Sequence, residues 1–160
     1  MYRKADMSDI DKIVKIPSMN LTEAEIKNYI NNDQKYLYVY ENEEKDIVNA
    51  TFFGCDGVDD DDYDSEIYGM YTRNIKDKDI INSEVLFETK KELFEKGYRS
   101  LIVWCDEKNE KMRKFLKSSG GVESKKRENN NRIEVAYTYE LLDYSCLLYT
   151  SPSPRDSTSC

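Results

Sequence analysis

The spacing of apolar residues changes repeatedly along this chain, and each change marks an element. Tyr2–Lys4 reads as a short extended start. Ile10, Ile13 and Val14 then share one helical face, with Ser8 as the expected N-cap. A second helix opens at Thr22: Thr22 and Glu25 have the spacing of a capping box, and Leu21 with Ile26 that of the hydrophobic staple across it. The period then becomes two. YLYVYE (36–41) and IVNATFFGC (47–55) are aromatic and β-branched strands around the polar turn 42–46, and EIYGMYT (66–72) makes a third.

The helical period returns over 83–96, where Val85, Leu86, Thr89, Leu93 and Phe94 form an inner stripe and Gly97 supplies the stop. YRSLIVWC (98–105) is almost uniformly apolar, as a strand buried on both faces should be. Residues 109–119 form a further helix with Met112, Phe115 and Leu116 inward and Gly120 ending it. The strands 122–127 and 132–142 pair as a hairpin through the turn 129–131. The order βααβββαβαββ predicts one α/β (α+β) domain, a mixed sheet of about seven strands flanked by four helices.

Composition narrows the chemistry. The chain contains no histidine, which removes Ser-His-Asp and Cys-His catalysis and most zinc sites. Its net charge of −8 argues against a general nucleic-acid binder, which needs clustered Lys and Arg. No apolar run approaches the roughly 20 residues of a membrane span, and the charged N-terminus lacks the apolar core of a secretory signal. Cys55 and Cys105 sit in strand-like runs and read as reduced core thiols, so a cytoplasmic location is expected. The acidic stretch DDDDYDSE (59–66) lacks the glycine and the ligand spacing of a calcium loop, so no metal site is expected; it reads as a solvated loop that could draw a cationic amine. After Ser145 the composition changes abruptly. CLLYTSPSPRD (146–156) resembles the translation of a sequencing-library adapter, so 1–145 is read as the domain and 146–160 as a non-native disordered tail.

Taken as a unit, the second half carries a resemblance. The run IYGMYTRNIKDKDIINSEVLFETKKELFEKGYRSLIVWCDEKNEKMRKFLKSSGG resembles the GNAT superfamily of acyl-CoA N-acyltransferases, its best anchors being the KGYRSLIVWC strand and the spaced Asn109, Met112, Phe115 and Gly120. The opening YRKADMSDIDKIVKI is similar to that family's first strand and helix, so the resemblance covers 1–142. It implies acetyl-CoA as co-substrate, with the pantetheine arm in a gap between the fourth strand (67–72) and the fifth (101–105). Backbone groups at Met70, Tyr71 and Thr72 would meet the arm and hold the thioester oxygen. Asp77, Lys78, Asp79, Ile80, Ile81, Asn82 and Ser83 would stand at the pyrophosphate, and Asn109 and Phe115 would be further cofactor-binding residues. Glu66 and Asp106 are the general-base candidates. Tyr68, with Tyr71 and Tyr137 as substitutes, could protonate the leaving thiolate. The implied acceptor is a small amine or a protein amino group, and the implied assembly a monomer or homodimer.

Two departures from the family pattern bear on function. The family's pyrophosphate loop, Arg/Gln-x-x-Gly-x-Gly/Ala, lets backbone N–H groups approach phosphate without Cβ obstruction; Asp77, Ile80 and Asn82 stand at its signature positions. The helix dipole contributes about 0.3–1 kcal/mol there, whereas one carboxylate about 5 Å from a phosphate opposes it by roughly 3 kcal/mol at an effective dielectric of 20. Lys76 and Lys78 can offset Asp77 and Asp79. Leu116 occupies the place of a tyrosine that acts as general acid in many relatives, and its loss is worth about 10²–10⁴-fold. The sequence therefore supports two functions, an N-acyltransferase and a catalytically inactive GNAT-like binding module.

Overall fold

A computed structural model describes residues 1–58 and 62–144. The expected tail at 146–160 and most of the Asp59–Asp62 run lie outside the described residues. Seven strands form one sheet in the order β1-β2-β3-β4-β5-β7-β6. They are β1 (Tyr2–Lys4), β2 (Lys35–Glu41), β3 (Ile47–Gly54), β4 (Glu66–Thr72), β5 (Ser100–Asp106), β6 (Val122–Asn129) and β7 (Arg132–Glu140). Every neighbouring pair is antiparallel except β4–β5, which is parallel. A parallel step needs a crossover, and α3 (Lys78–Glu95) supplies it.

The sheet separates two apolar layers. On one face α1 (Ile10–Ile13) and α2 (Glu23–Ile30) bring Ile13 and Ile26 onto Leu37, Val39 and Phe52. On the other, α3 and α4 (Glu110–Ser118) bring Leu86, Leu93 and Leu116 onto Ile67, Leu101, Val103 and Val135. The period-two alternation of β2 puts Tyr36, Tyr38 and Tyr40 on the α3 side, where they seat that helix. Tyr40 Oη donates to Glu84 at 2.7 Å, Tyr38 Oη donates to Glu92, and Tyr36 Oη meets Tyr98 Oη at 3.3 Å. Burial and the Glu92 carboxylate push the Tyr38 hydroxyl pKa well up, so it stays a donor.

Most local expectations hold in this architecture. Thr22 and Glu25 form the reciprocal box, at 3.0 and 3.2 Å. The β6–β7 turn places Asn130 and Asn131 at φ 52° and 63°, as a two-residue hairpin turn with two left-handed residues requires. Gly97, at φ 102°, closes α3 through a Tyr98 N–H to Leu93 O bond, which delays β5 until Ser100.

Two starts differ from expectation. Asp6, rather than Ser8, caps the first helical segment: its carboxylate accepts the Ser8 N–H at 2.9 Å while Asp9 returns a bond to the Asp6 N–H at 2.8 Å, and a 3₁₀ turn leads into α1. Helix α3 begins at Lys78, five residues before Ser83, because buried Ile81 already packs with Val48 and Val85 on the sheet. No helix among the described residues is long and apolar enough to cross a membrane.

Candidate active site

The two parallel strands are joined only at their beginnings. Glu66 pairs with Ile102 and Ile67 with Val103, and the Ile102 N–H donates to Ser65 O at 3.0 Å. Beyond that point each strand is held by its outer neighbour alone. β5 stays in register with β7 from Ser100↔Glu140 to Asp106↔Glu134. β4 follows β3, but the register slips between Phe53↔Ile67 and Phe52↔Gly69, so Tyr68 is an extra residue in β4. Such a bulge bends its strand, and here the bend leads β4 away from β5. Gly69 completes the bulge: a Cβ there would stand 2.8 Å from the Tyr71 ring. That ring is itself fixed, since Tyr71 Oη donates to Asn20 Oδ1 at 2.9 Å.

The wedge between the strands is a cavity of about 270 Å³. Ile67 to Met70 form one wall and Val103 to Asp106 the other. Leu86 of α3, Asn109 at the N-cap of α4, and Met112 and Leu116 within α4 close it over, and Arg132 and Glu134 of β7 edge it. The interior is apolar, with Ile67, Leu86, Val103 and Leu116 buried. Polar groups gather where the strands end. Asp106 Oδ1 accepts the Lys108 N–H at 2.9 Å, and Asn109 Oδ1 caps α4 through the Met112 N–H at 3.1 Å. Glu134 accepts from Arg127 Nε at 2.8 Å, and the Arg127 guanidinium lies 4.0 Å from the Trp104 ring centre. Burial pushes the Cys105 thiol pKa up to about 11, so this thiol is neutral near pH 7 and a poor nucleophile.

The cavity collects some of the residues singled out from the sequence. Tyr68, Met70, Asp106 and Asn109 line it. Glu66 lies at the paired end of the strands, and Phe115, within α4, packs against the core. The tyrosine hydroxyls are engaged elsewhere. Tyr68 Oη donates to Asp56 O, Tyr71 Oη to Asn20, and Tyr137 Oη to Glu123 at 3.0 Å. Burial, aided by Glu66, pushes the Tyr68 hydroxyl pKa up. Arg132 and Glu134 were not legible as site residues, because only the insertion of β7 between β5 and β6 brings them here. Gly69 carried a signal, a glycine inside a strand pattern.

Thr72, Asn82 and the start of α3 are bound into one buried polar chain. Thr51 Oγ1 donates to Asn49 Oδ1 at 2.8 Å, Asn49 Nδ2 donates to Thr72 Oγ1 at 2.9 Å, and Thr72 Oγ1 donates to Asn82 Oδ1. Asn49 and Thr51 are fully buried. The chain ties the end of β4 to the first turns of α3. Thr72→Val keeps the shape but strands the Asn49 amide and the Asn82 carbonyl, so urea unfolding should show a loss of about 2 kcal/mol. A loss below about 0.5 kcal/mol would mean that water replaces the hydroxyl.

The residues fit one part of acetyl-CoA well. An apolar wedge lined by unladdered strand edges suits a thioester arm. At the far end, Asp77 caps α3 without a side-chain bond to the helix, and Ile80 in the first turn is 62% exposed.

No protein-family model matches the sequence, and no curated protein is similar to it in sequence. Solved structures do match. The ribosomal-protein-alanine N-acetyltransferase from Brucella melitensis superposes with a TM-score of 0.74 at 16% identity, over 88% of this chain and 99% of that one. The N-acetyltransferase from Staphylococcus aureus Mu50 gives 0.74 at 16% identity, over 88% and 97%. The aminoglycoside 6'-N-acetyltransferase from Enterococcus faecium gives 0.75 at 9% identity, over 89% and 97%. With its seven-stranded mixed sheet opened between β4 and β5, the chain has the fold of the GNAT acetyltransferases.

Proposed function

We propose that the protein is an N-acyltransferase that moves an acyl group, acetyl in the simplest case, from a thioester to an amine. The observation that carries this reading is the β4–β5 wedge, an apolar slot bounded by strand edges that no ladder closes. Backbone groups of Gly69 and Met70 on one wall, and of Trp104 and Cys105 on the other, would have completed that ladder. They are available instead to an amide-bearing arm and to the thioester oxygen, where a fixed N–H donor lowers the barrier to a tetrahedral state. The reaction needs no covalent enzyme intermediate. The neutral amine attacks the thioester carbon, the C–S bond breaks, and the proton lost from nitrogen balances the departing thiolate.

Asp106 is assigned as the base, acting directly or through water, since it lines the slot where the strands end. Leu116 cannot serve as acid, and the hydroxyls of Tyr68, Tyr71 and Tyr137 are committed to protein acceptors, so the thiolate takes its proton from solvent or from the protonated nitrogen of the tetrahedral adduct. These same features favour the second reading, an inactive module that binds through the slot. Acetyl-CoA, a small amine or protein amino group, and a cytoplasmic location with reduced Cys55 and Cys105 complete the proposal. The test is thiol release from acetyl-CoA across a panel of amines and N-terminal peptides, with the acetylated product identified by mass. Amine-dependent release that falls about 100-fold in Asp106→Asn is expected. Binding without release for any amine would establish the inactive module instead.

A further inference from the structure

The donor slot is complete at its thioester end and incomplete at its nucleotide end, and this asymmetry has a consequence for the donor. We infer that the protein recognises the acylated pantetheine arm itself, and that the nucleotide of coenzyme A adds little to binding. The inference rests on the acyltransferase reading and specifies its donor class.

Because β4 and β5 are parallel, the β4–α3 and β5–α4 connections emerge at the same edge of the sheet, so the starts of α3 and α4 flank one mouth of the slot. A diphosphate leaving the slot must pass between them. On the α3 side Ile80 projects into solvent from the first turn, where a glycine would open the backbone N–H groups to phosphate oxygens. Asn82 cannot turn its amide oxygen aside, because it accepts from Thr72.

Charge does not compensate. Lys76 and Lys78 stand beside Asp77 and Asp79 in the sequence of that connection. On the α4 side Lys108 and Lys111 face Asp106, Glu107 and Glu110 in sequence, with Glu107 held by Lys126 at 2.6 Å. Arg73, which opens the β4–α3 connection, donates through Nε to Ile47 O at 2.9 Å, and with it the cationic and anionic side chains over 73–79 and 106–111 balance, leaving no excess of positive charge for a diphosphate and a 3′-phosphate. The arm, in contrast, meets Ile67, Met70, Val103, Met112 and Leu116, which are indifferent to charge.

A free pantetheine thioester and an arm carried on a protein present the same thioester to this slot. In either case the amine nitrogen forms the amide bond to the acyl carbon, the C–S bond breaks, and pantetheine thiol leaves with one proton. Trp104, the chain's single tryptophan, lines the slot and reports binding by fluorescence. The experiment titrates the full chain with acetyl-CoA, acetyl-pantetheine and an acetylated acyl carrier protein. Acetyl-pantetheine is expected within about fivefold of acetyl-CoA in Kd. Carrier protein binding about tenfold tighter than acetyl-pantetheine marks the carried arm as the source, and parity marks the free one.

The double variant Asp77→Arg with Ile80→Gly should then raise the preference for acetyl-CoA over acetyl-pantetheine by about tenfold. Acetyl-CoA binding more than about 30-fold tighter than acetyl-pantetheine in the unmodified chain would overturn the inference and leave the acyltransferase reading standing. An unchanged preference in the double variant would overturn it too. Failure of all three donors to bind would overturn both.

Discussion

Cys105→Phe is expected to reduce thioester binding at least about 100-fold while the protein stays folded. Cys105 lies on the β5 wall, is 8% exposed, and borders the cavity opposite Met70. A benzyl group there grows into empty volume rather than into packed neighbours, so the overpacking cost should sit at the low end of the usual range, about 1 kcal/mol. The slot has no room to shift around it. β5 is held by β7 along its whole length, and the β4 wall is fixed by its bulge, by Gly69 against Tyr71, and by the Tyr71 bond to Asn20. A thioester arm would therefore meet the ring at the place where the two strands part. Trp104 fluorescence titration with acetyl-CoA and acetyl-pantetheine, beside a thermal melt, reads both halves of the claim. A folded variant that keeps its donor affinity would show that the wedge is not where the thioester lies, and the proposed function would lose the observation that carries it. Burial keeps the Cys105 thiol neutral, with its pKa pushed up to about 11, so it contributes volume rather than nucleophilicity and lost turnover would follow from lost binding.

The parts of this architecture that were legible in the sequence are those decided by neighbours in the chain. The Thr22–Glu25 box needs only four residues, and the β4 limits follow from alternation between a polar loop and a charged one. The seating of Tyr36, Tyr38 and Tyr40 on one face follows from the period of two, although their partners Glu84, Glu92 and Tyr98 do not. What remained hidden depends on contacts across the sheet. The start of α3 was obscured because Ile81 is a single apolar residue among charged ones, and its burial is decided by Val48 some thirty positions earlier in the chain. The bulge at Tyr68 is a property of the β3–β4 register, visible beforehand only as a glycine in a strand. The site itself was half legible. Met70, Asp106 and Asn109, which the family resemblance implied, line the wedge, whereas Arg132 and Glu134 depend on strand order, which composition does not encode.

Arg3→Met is expected to cost about 3 kcal/mol near pH 7, and the cost should shrink in acid. Arg3 reaches from β1 to both sides of the N-terminal corner. Its guanidinium makes a two-point contact with Asp9, at 2.8 Å through each terminal nitrogen, donates to Glu41 through Nε, and donates to Lys4 O at 3.1 Å. Asp9 is 5% exposed, and without Arg3 its carboxylate keeps only the Asp6 N–H, so the variant leaves a buried charge with one donor. Methionine retains the apolar stem, which isolates the charge from the packing. The pH dependence follows from the direction of the shifts. Hydrogen bonding to Arg3 holds the Asp9 pKa, and likewise that of Glu41, below its ordinary value. Groups shifted down stabilise the fold above their unfolded pKa values, about 4, and lose that contribution as the pH falls through the folded ones. Urea unfolding at pH 7 and at pH 3 should therefore show a wide gap between the two proteins at neutrality and a narrower one in acid. A gap of equal size at both pH values would assign the stabilisation to the packing of the Arg3 stem, and a gap below about 1 kcal/mol at pH 7 would mean that water reaches Asp9 once the guanidinium is gone.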